Sequence, residues 1–417
     1  MGSNPTASLE IVKNKKYYSW ILYDWANSAF ATIVLAGFFP IIFADYFASS
    51  FTQSERTLVL GISNSSASLL LILIAPFLGL LADRKGNKLK YLALSAFIGI
   101  TATLFLTFVD KDAWAIASML FSISLFGFML SNVFYDSMLL SFDNSKDLNS
   151  MSSFGYAAGY LGGGIAFILA LFFLFYFKES SHDFIVNKKI IFIFTSLWWF
   201  LFSIPLFLYW KDANKPKEQQ KYSLFDTFKD IKADKRLLYF LLAYWIYIDR
   251  VDTIIRMAVN FGITIGFSSN DLLIALLVTQ FVSFPGTILI NSIAGYKTSE
   301  FSIMLCLIIY ILITLIAYNL NTIFEFYLIA VLIGLAQGGI QALSRSYYAR
   351  IIPKHRSSEY FGVYNMLGKF AALLGPLFVG LITYYTDDSR LGMLSIALFF
   401  IIGIYFFKKQ CMLNKQE

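Results

Sequence analysis

Long apolar segments alternate with short polar segments along almost the whole chain. Each segment is close to the roughly 20 residues that a membrane-crossing helix needs. None shows the strict alternation of a barrel strand. The segments cover residues 18–47, 58–81, 90–109, 113–138, 152–177, 189–210, 237–262, 271–294, 300–319, 323–344, 360–385 and 389–408. The pattern predicts an all-α membrane protein with twelve transmembrane helices.

One long polar interruption divides these segments into six and six. It spans residues 211–236 and is rich in Lys, Asp and Gln. We therefore expect an N-terminal six-helix bundle over residues 1–210, a cytoplasmic linker over 211–236 and a C-terminal six-helix bundle over 237–417. Within the linker, residues 223–235 suit either a helix on the membrane surface or a solvated segment.

Polar residues recur at matching positions in the first and seventh segments. At one constant offset, Trp20, Ile21, Asp24, Asn27 and Ser28 align with Trp245, Ile246, Asp249, Asp252 and Thr253. Ionisable side chains are costly inside a bilayer, so they are usually functional there. Their repetition indicates two repeated halves around a polar site, the plan of transporters built from parallel repeats.

The composition excludes a soluble protein. Hydrophobic residues make up 58% of the chain and charged residues only 14%, with a mean hydropathy of +0.66, whereas soluble domains carry about 25% charged residues. The net charge of +7 comes from Lys and Arg concentrated in alternate loops, including 84–90, 211–236 and 345–356. This asymmetry follows the positive-inside rule and predicts that both termini are cytoplasmic. It argues against nucleic-acid binding.

Metal, disulfide and catalytic chemistry have little support in the sequence. The cysteines are Cys306 and Cys411, and the histidines are His182 and His355. So few ligands predict no zinc site and no disulfide framework. We found no paired catalytic carboxylates and no nucleophile motif. The chain is therefore expected to work without a cofactor and not to be an enzyme.

The loop between the second and third segments has the sequence GLLADRKGNK, starting at Gly79. Gly86 permits a tight turn, Asp83 suits the N-terminus of a neighbouring helix, and Arg84 holds the loop in the cytoplasm. The loop resembles the signature loop of the major facilitator superfamily. We expect Gly79, Asp83, Arg84 and Gly86 to form a conformational latch that favours an outward-open state. In the second half Gly295 stands where the acid would be, so any second latch should be weak.

Four other segments resemble the vacuole-effluxer-like (UMF-type) branch of that superfamily. They are residues 23–30, 154–164, 338–346 and 364–376. The resemblance implies a twelve-helix facilitator fold, and the best-known members of the branch are yeast vacuolar proteins linked to amino-acid efflux during autophagy. The chain departs from the branch pattern at Asp136 and Arg250. Gly155, Gly159 and Gly163 recur every four residues, which predicts close helix packing.

Polar residues within the apolar segments are the candidate substrate- or proton-binding groups. They are Asp24, Asn27, Asp136, Asp249, Asp252, Arg256, Gln280, Gln337, Gln341 and Lys369. This mixture of charges and amides suits a zwitterion or another polar solute. Our hypothesis is that Asp24 and Asp249 bind a cationic group or a proton, and that Lys369 and Arg256 receive an anionic group. A purely structural Asp252–Arg256 ion pair is the alternative for that part of the seventh helix.

These features predict a secondary transporter that moves a small polar solute, such as an amino acid, by alternating access. No phosphate-binding loop is present, so an ion or solute gradient must drive transport. Protons are the expected coupling ion, because a carboxyl group in apolar surroundings can take up and release one. We expect a monomer in the bacterial inner membrane whose partners are its solute and the bilayer. The alternative is a non-transporting or lipid-handling protein, such as a scaffold or scramblase.

Overall fold

Apolar segments in a bilayer fold as helices because every backbone polar group must find a partner within its own segment. The computed structural model describes residues 15–142, 148–178, 184–212, 223–386 and 388–414. The long helices in these residues are α1 (Lys15–Phe47), α2 (Gln53–Lys85), α3 (Lys88–Phe105), α4 (Trp114–Met138), α5 (Leu148–Lys178), α6 (Phe184–Tyr209), α7 (Lys235–Ile265), α8 (Ser269–Tyr296), α9 (Ser299–Tyr318), α10 (Ile323–Ile351), α11 (Ser357–Thr386) and α12 (Ser389–Asn414).

The predicted all-α membrane fold is confirmed. In the described residues, ten of these helices are long and apolar enough to cross a membrane, and α7 and α11 complete the twelve long helices. α7 is less apolar because Asp249, Arg250 and Asp252 lie near its middle. Asp249 and Arg250 are buried in the protein, where polar side chains at membrane depth are tolerated.

Several helices extend beyond the apolar segments that predict them. α2 starts early because Thr52 and Glu55 form a capping box, and it ends at Lys85, before the C-cap residue Gly86, whose φ of 64° suits glycine. α10 continues to Ile351, seven residues past its apolar segment. This extension corrects the expectation that Arg345 lies in a loop, because Arg345 is a helical residue and is only 1% exposed.

Two sets of loops define the ends of the helix bundle. We call the end that carries the α2–α3 and α10–α11 loops the basic end. Hydrogen bonds join α1–α6 to α7–α12 there, and they include Asn149–Ser299 (2.8 Å), Ser346–Asn149 (2.7 Å), Ser358–Ser137 (3.0 Å) and Lys88–Ser357. At the other end, contacts such as Ser49–Asp112 and Tyr327–Asp271 stay within one half. The two halves are thus held together at the basic end.

A short linker helix (Leu224–Ala233) precedes α7. Ser223 caps its N-terminus, and Thr227 and Ile231 are buried. Ile231 is buried whereas Phe225 is 88% exposed, so the apolar residues of this helix lie in different surroundings. The linker helix packs against the basic ends of α7 and α2.

Candidate functional site

Arg345 of α10 joins the two halves through a buried polar cluster. Its Nη1 lies 3.0 Å from Oδ1 of Asp136 on α4. Its Nε and Nη2 donate hydrogen bonds to the side chain and the backbone carbonyl of Ser152 on α5, at 2.8 and 2.9 Å. Arg345 lies six residues before the end of α10, or about 9 Å from that end at 1.5 Å per residue. The planar guanidinium suits this multidentate role.

Aromatic rings surround the Arg345 guanidinium. Trp20 and Tyr135 stack with ring centres 4.4 Å apart, and the guanidinium carbon lies 4.2 Å from the ring centre of Tyr156. Gly155 packs closely against this cluster, because a Cβ there would stand 3.0 Å from Trp20 and from the Tyr135 hydroxyl and 3.2 Å from Nη2 of Arg345. Cation–π contacts compensate part of the cost of burying the charge.

Asp24 of α1 is the second carboxyl beside Arg345, but it is held less closely than Asp136. Its Oδ2 accepts a hydrogen bond from the Tyr135 hydroxyl at 3.2 Å and lies 4.0 Å from Nη1 of Arg345. Asp136, in contrast, also accepts a hydrogen bond from Asn365 of α11 at 3.1 Å. The cluster thus contains one tightly bound and one loosely bound carboxyl.

Lys369 and Asp252 are partly exposed. Lys369 of α11 lies in the neighbourhood of Asp136, and Asp252 of α7 lies in the neighbourhood of Tyr156 and Tyr160. These two residues therefore bring opposite charges close to the buried polar cluster around Arg345. The side chain of Arg256 lies outside the described part of the chain.

The amide candidates lie mainly between helices. Their hydrogen-bonded pairs are Asn27–Asn132 (2.6 Å), Gln280–Thr32 (3.2 Å) and Tyr160–Gln341 (2.6 Å). The last two hydrogen bonds join opposite halves, so both would break if α1 moved away from α8 and α5 moved away from α10. Gln337 is buried in α10.

Asp249 repeats the backbone position of Asp24 but has different neighbours. A Cβ on Gly159 would stand 3.1 Å from Oδ1 of Asp24, and a Cβ on Gly375 would stand 3.0 Å from Oδ1 of Asp249. Each acid thus approaches a glycine on the fifth helix of its own half. However, Oδ2 of Asp249 lies 3.1 Å from Nη1 of its chain neighbour Arg250.

Arg250 is directed toward α12. Its guanidinium carbon lies 3.6 Å from the ring centre of Phe399 and 5.5 Å from that of Phe378. The Asp249–Arg250 pair is therefore contained within the C-terminal half, in contrast to the Arg345 cluster.

The structure corrects the expectation that residues 79–85 form a loop, because they are the last turns of α2, and these turns contact the start of α11. Oδ2 of Asp83 accepts a hydrogen bond from the backbone N–H of Glu359 at 2.9 Å, and Lys88 Nζ lies 3.7 Å from Oδ1. Glu359 is in the first turn of α11, where the helix dipole stabilises an anion. Gly79 lies directly against the backbone of Ser358 and Glu359, so a side chain there would collide with α11.

Arg356 connects this contact to the linker helix. Its Nη1 lies 2.7 Å from Asp230, and its Nε lies 3.0 Å from Glu359. Thr227 donates a hydrogen bond to Glu359. Burial opposes the charge on Arg356, but hydrogen bonds to Glu359 and Asp230 outweigh burial and raise its pKa. The corresponding end of α8 differs, because a Cβ on Gly295 would meet nothing within 4 Å and Tyr296 is 90% exposed.

Comparison with known proteins identifies the family. A family model described as "Vacuole effluxer Atg22 like" matches residues 12–414. The protein named uncharacterized MFS-type transporter YxiO, of Bacillus subtilis, is 34% identical over 399 residues, covering 94% of this chain and 93% of that protein. The chain belongs to the vacuole effluxer Atg22-like family. It is a multi-pass transporter of the major facilitator type and not an enzyme.

More distant members of the Atg22-like family and solved structures agree. Autophagy-related protein 22 of Kluyveromyces lactis is 24% identical over 357 residues, covering 76% of this chain and 71% of that protein. A bacterial homologue of the iron transporter ferroportin, in an outward-facing state, gives a TM-score of 0.71 at 12% identity, covering 95% of this chain and 98% of that one. The proton:xylose symporter XylE gives 0.70 at 11% identity, covering 95% and 94%. At these identities the two structures show the fold alone.

Arg345 is the site residue that our sequence analysis missed in this Atg22-like chain. It belongs to the segment 338–346 that resembles the family, and it follows the candidate Gln341 by four residues, which places both on one helix face. We missed it because the sequence analysis counted it with the basic residues of the loop 345–356. Asn365, another missed partner, also lies in a family-like segment.

Proposed function

We propose that the protein is a proton-coupled transporter of zwitterionic solutes such as amino acids, and that it works by alternating access. The observation that carries this proposal is Arg345, which links Asp136 and Ser152 across the two halves at the basic end. We propose that this end faces the cytoplasm of a bacterium, because Lys and Arg are enriched in its loops. Both termini are then cytoplasmic, and the protein works as a monomer in the inner membrane.

Arg345 is the proposed lock of the closed basic end. Opening that end separates α10 from α4 and α5, so Arg345 must leave Asp136 and Ser152. A buried charge that loses its partner is costly, by about 3–5 kcal/mol in known cases. The open state therefore requires a change in the charge balance of the cluster.

A proton supplies that change. Asp24 is the first acceptor in our scheme, because it is the carboxyl less closely held by Arg345. Its protonation removes one of the two negative charges that hold the guanidinium in place. The lock then loosens, the basic end opens, and the proton leaves toward the cytoplasm.

Lys369 and Asp252 are the proposed solute-binding groups. Both are partly exposed near the polar cluster. The carboxylate of a zwitterion would pair with Lys369 and its ammonium group with Asp252. This assignment moves the cation-binding role away from Asp249, because Arg250 lies 3.1 Å from that carboxyl.

A lipid-handling protein is the weaker candidate. A scramblase needs a polar groove that faces lipid, whereas the charged residues of the Arg345 cluster are buried between helices. The recess along α2 is lined mainly by apolar carbon, from Leu58, Gly61, Ile62 and Leu69 together with two serines. This arrangement favours passage of a solute through the centre.

Reconstituted transport tests the proposal. Purified protein in liposomes should accumulate at least one radiolabelled amino acid when a proton gradient is imposed, and an uncoupler should stop accumulation. Lys369→Gln should raise the KM for that amino acid, since it removes the proposed carboxylate partner. Lipid translocation in the absence of solute uptake would instead support the scramblase.

A further inference from the structure

The linker helix has a surface that the transport cycle described above does not use. Four exposed residues form it, namely Phe225, Phe228, Lys229 and Lys232. At 3.6 residues per turn they fall within a sector of about 100°. The acidic residues Asp226 and Asp230 lie outside this sector. The surface, which we call the aromatic–basic face, is thus both apolar and positively charged.

The opposite side of the linker helix touches the contact between α2 and α11 at the basic end, which we call the gate. Thr227 is buried and bonds to Glu359, and Asp230 pairs with Arg356 at 2.7 Å. The backbone N–H of Glu359 in turn donates a hydrogen bond to Asp83 near the end of α2. Any force that holds the linker helix in this position therefore also favours the closed contact between α2 and α11.

The linker helix lies next to the end of a membrane helix. Only Asp234 separates it from α7, which starts at Lys235. It also packs against the basic end of α2. This location is the level of the lipid headgroups for a helix bundle that spans the bilayer. Aromatic rings enter the headgroup region readily, and lysines extend toward anionic groups there.

We propose that the aromatic–basic face binds anionic lipid headgroups of the cytoplasmic leaflet, and that this binding stabilises the state closed at the basic end. The partner is a lipid surface because the face combines two lysines with two exposed phenylalanines, the combination that suits an anionic interface. The effect on the gate rests on the proposed alternating access. The lipid contact itself does not depend on any solute.

The first experiment tests contact with the membrane. An environment-sensitive fluorophore is attached at Phe225→Cys in a chain that also carries Cys306→Ala and Cys411→Ser, reconstituted in nanodiscs. Quencher-labelled lipids should reduce its emission more than aqueous iodide does. A probe at Lys354→Cys, on an exposed loop position at the same end, is the control and should respond mainly to iodide. Preferential quenching by iodide at position 225 would overturn the proposal and indicate a water-facing surface for a protein partner.

The second experiment tests the coupling to the gate. Spin labels at Lys85→Cys and Lys354→Cys, both exposed at the basic end, report the separation of α2 and α11. Replacing neutral nanodiscs with nanodiscs rich in phosphatidylglycerol should raise the closed-to-open ratio at least about threefold, since each lysine near an anionic surface contributes appreciable attraction.

Charge variants make the second experiment decisive. Lys229→Gln with Lys232→Gln should abolish the dependence on anionic lipid, whereas Lys90→Gln with Lys211→Gln removes the same charge from exposed positions outside the linker helix and should preserve it. The proposal would be overturned if the Lys229→Gln, Lys232→Gln variant kept the dependence of the closed-to-open ratio on anionic lipid. It would also be overturned if the protein with both lysines intact showed no such dependence. Distances and quenching are read without solute, so failure of solute transport would not be mistaken for failure of lipid binding.

Discussion

Asp24 and Asp249 occupy equivalent positions in the two halves, yet their charges are balanced in different ways. Each approaches a glycine of the fifth helix in its half. Asp24 lies beside Arg345, a cation from the other half, whereas Asp249 pairs with its chain neighbour Arg250. A contact between halves must change when they move, and a contact within one half need not. The two acids thus share the same backbone position and the same close glycine. Only Asp24 is placed to couple a change of charge to the movement of the halves.

Neutralising Arg345 and Arg250 should give the largest difference between a contact that joins the halves and a contact within one half. Arg345→Gln should reduce transport at least about a hundredfold, because a lost buried charge contact is worth about 3 kcal/mol or more. Arg250→Gln should lower the unfolding temperature but keep measurable transport, since its partners lie in one half. Initial uptake rates and fluorescence-detected unfolding of both variants check this. Equal loss of transport in the two variants would remove the distinction.

Neutralising the two acids should have a smaller and more specific effect. Asp24→Asn keeps the shape and removes the titrating group, so uptake should become independent of pH. In the unmodified protein, uptake should rise as the pH falls on the side from which protons enter, because protonation loosens the lock. Asp249→Asn is the matched control and should retain the pH dependence. Uptake by Asp24→Asn with an unchanged pH profile would assign coupling to another group.

The loop contacts provide a third comparison between halves. Asp83→Asn should shift the equilibrium toward opening of the basic end about two- to fivefold, because an anion at a helix N-terminus contributes about 0.3–1 kcal/mol. The distance between spin labels at Lys85→Cys and Lys354→Cys measures this shift. A normal distance distribution in the variant would show that the hydrogen bond to Glu359 does not hold the gate.

Glycine-to-alanine substitutions test the difference between the ends of α2 and α8 by adding a single methyl group and no charge. Gly79→Ala should favour the open basic end, because its Cβ would meet the backbone of Ser358 and Glu359. Gly295→Ala should leave the distance distribution unchanged, since its Cβ would meet nothing within 4 Å. The same label pair serves both variants. An equal response at the two glycines would mean that close packing of α2 on α11 is not what restricts Gly79.

The fold was largely predictable from sequence because span length and apolar composition are strong local signals. The polar ends of helices were not, since capping and tertiary contacts decide where a helix stops. α10 illustrates this limit, because its polar last turns carry Arg345 into the protein. Asp24 and Asp249 were recognisable as a repeated pair, but their partners depend on packing. Arg250 adjoins Asp249 in sequence, whereas Arg345 is brought to Asp24 only by the fold.

The most direct test of the central claim is the distance across the basic end in Arg345→Gln. Spin labels at Lys85→Cys and Lys354→Cys are measured in neutral nanodiscs at one pH, with Arg250→Gln as the matched arginine control. We predict that Arg345→Gln adds a population at longer distance, while Arg250→Gln retains the distribution of the unmodified protein. An unchanged distribution in Arg345→Gln would contradict the account, because the basic end would then stay closed without its proposed lock.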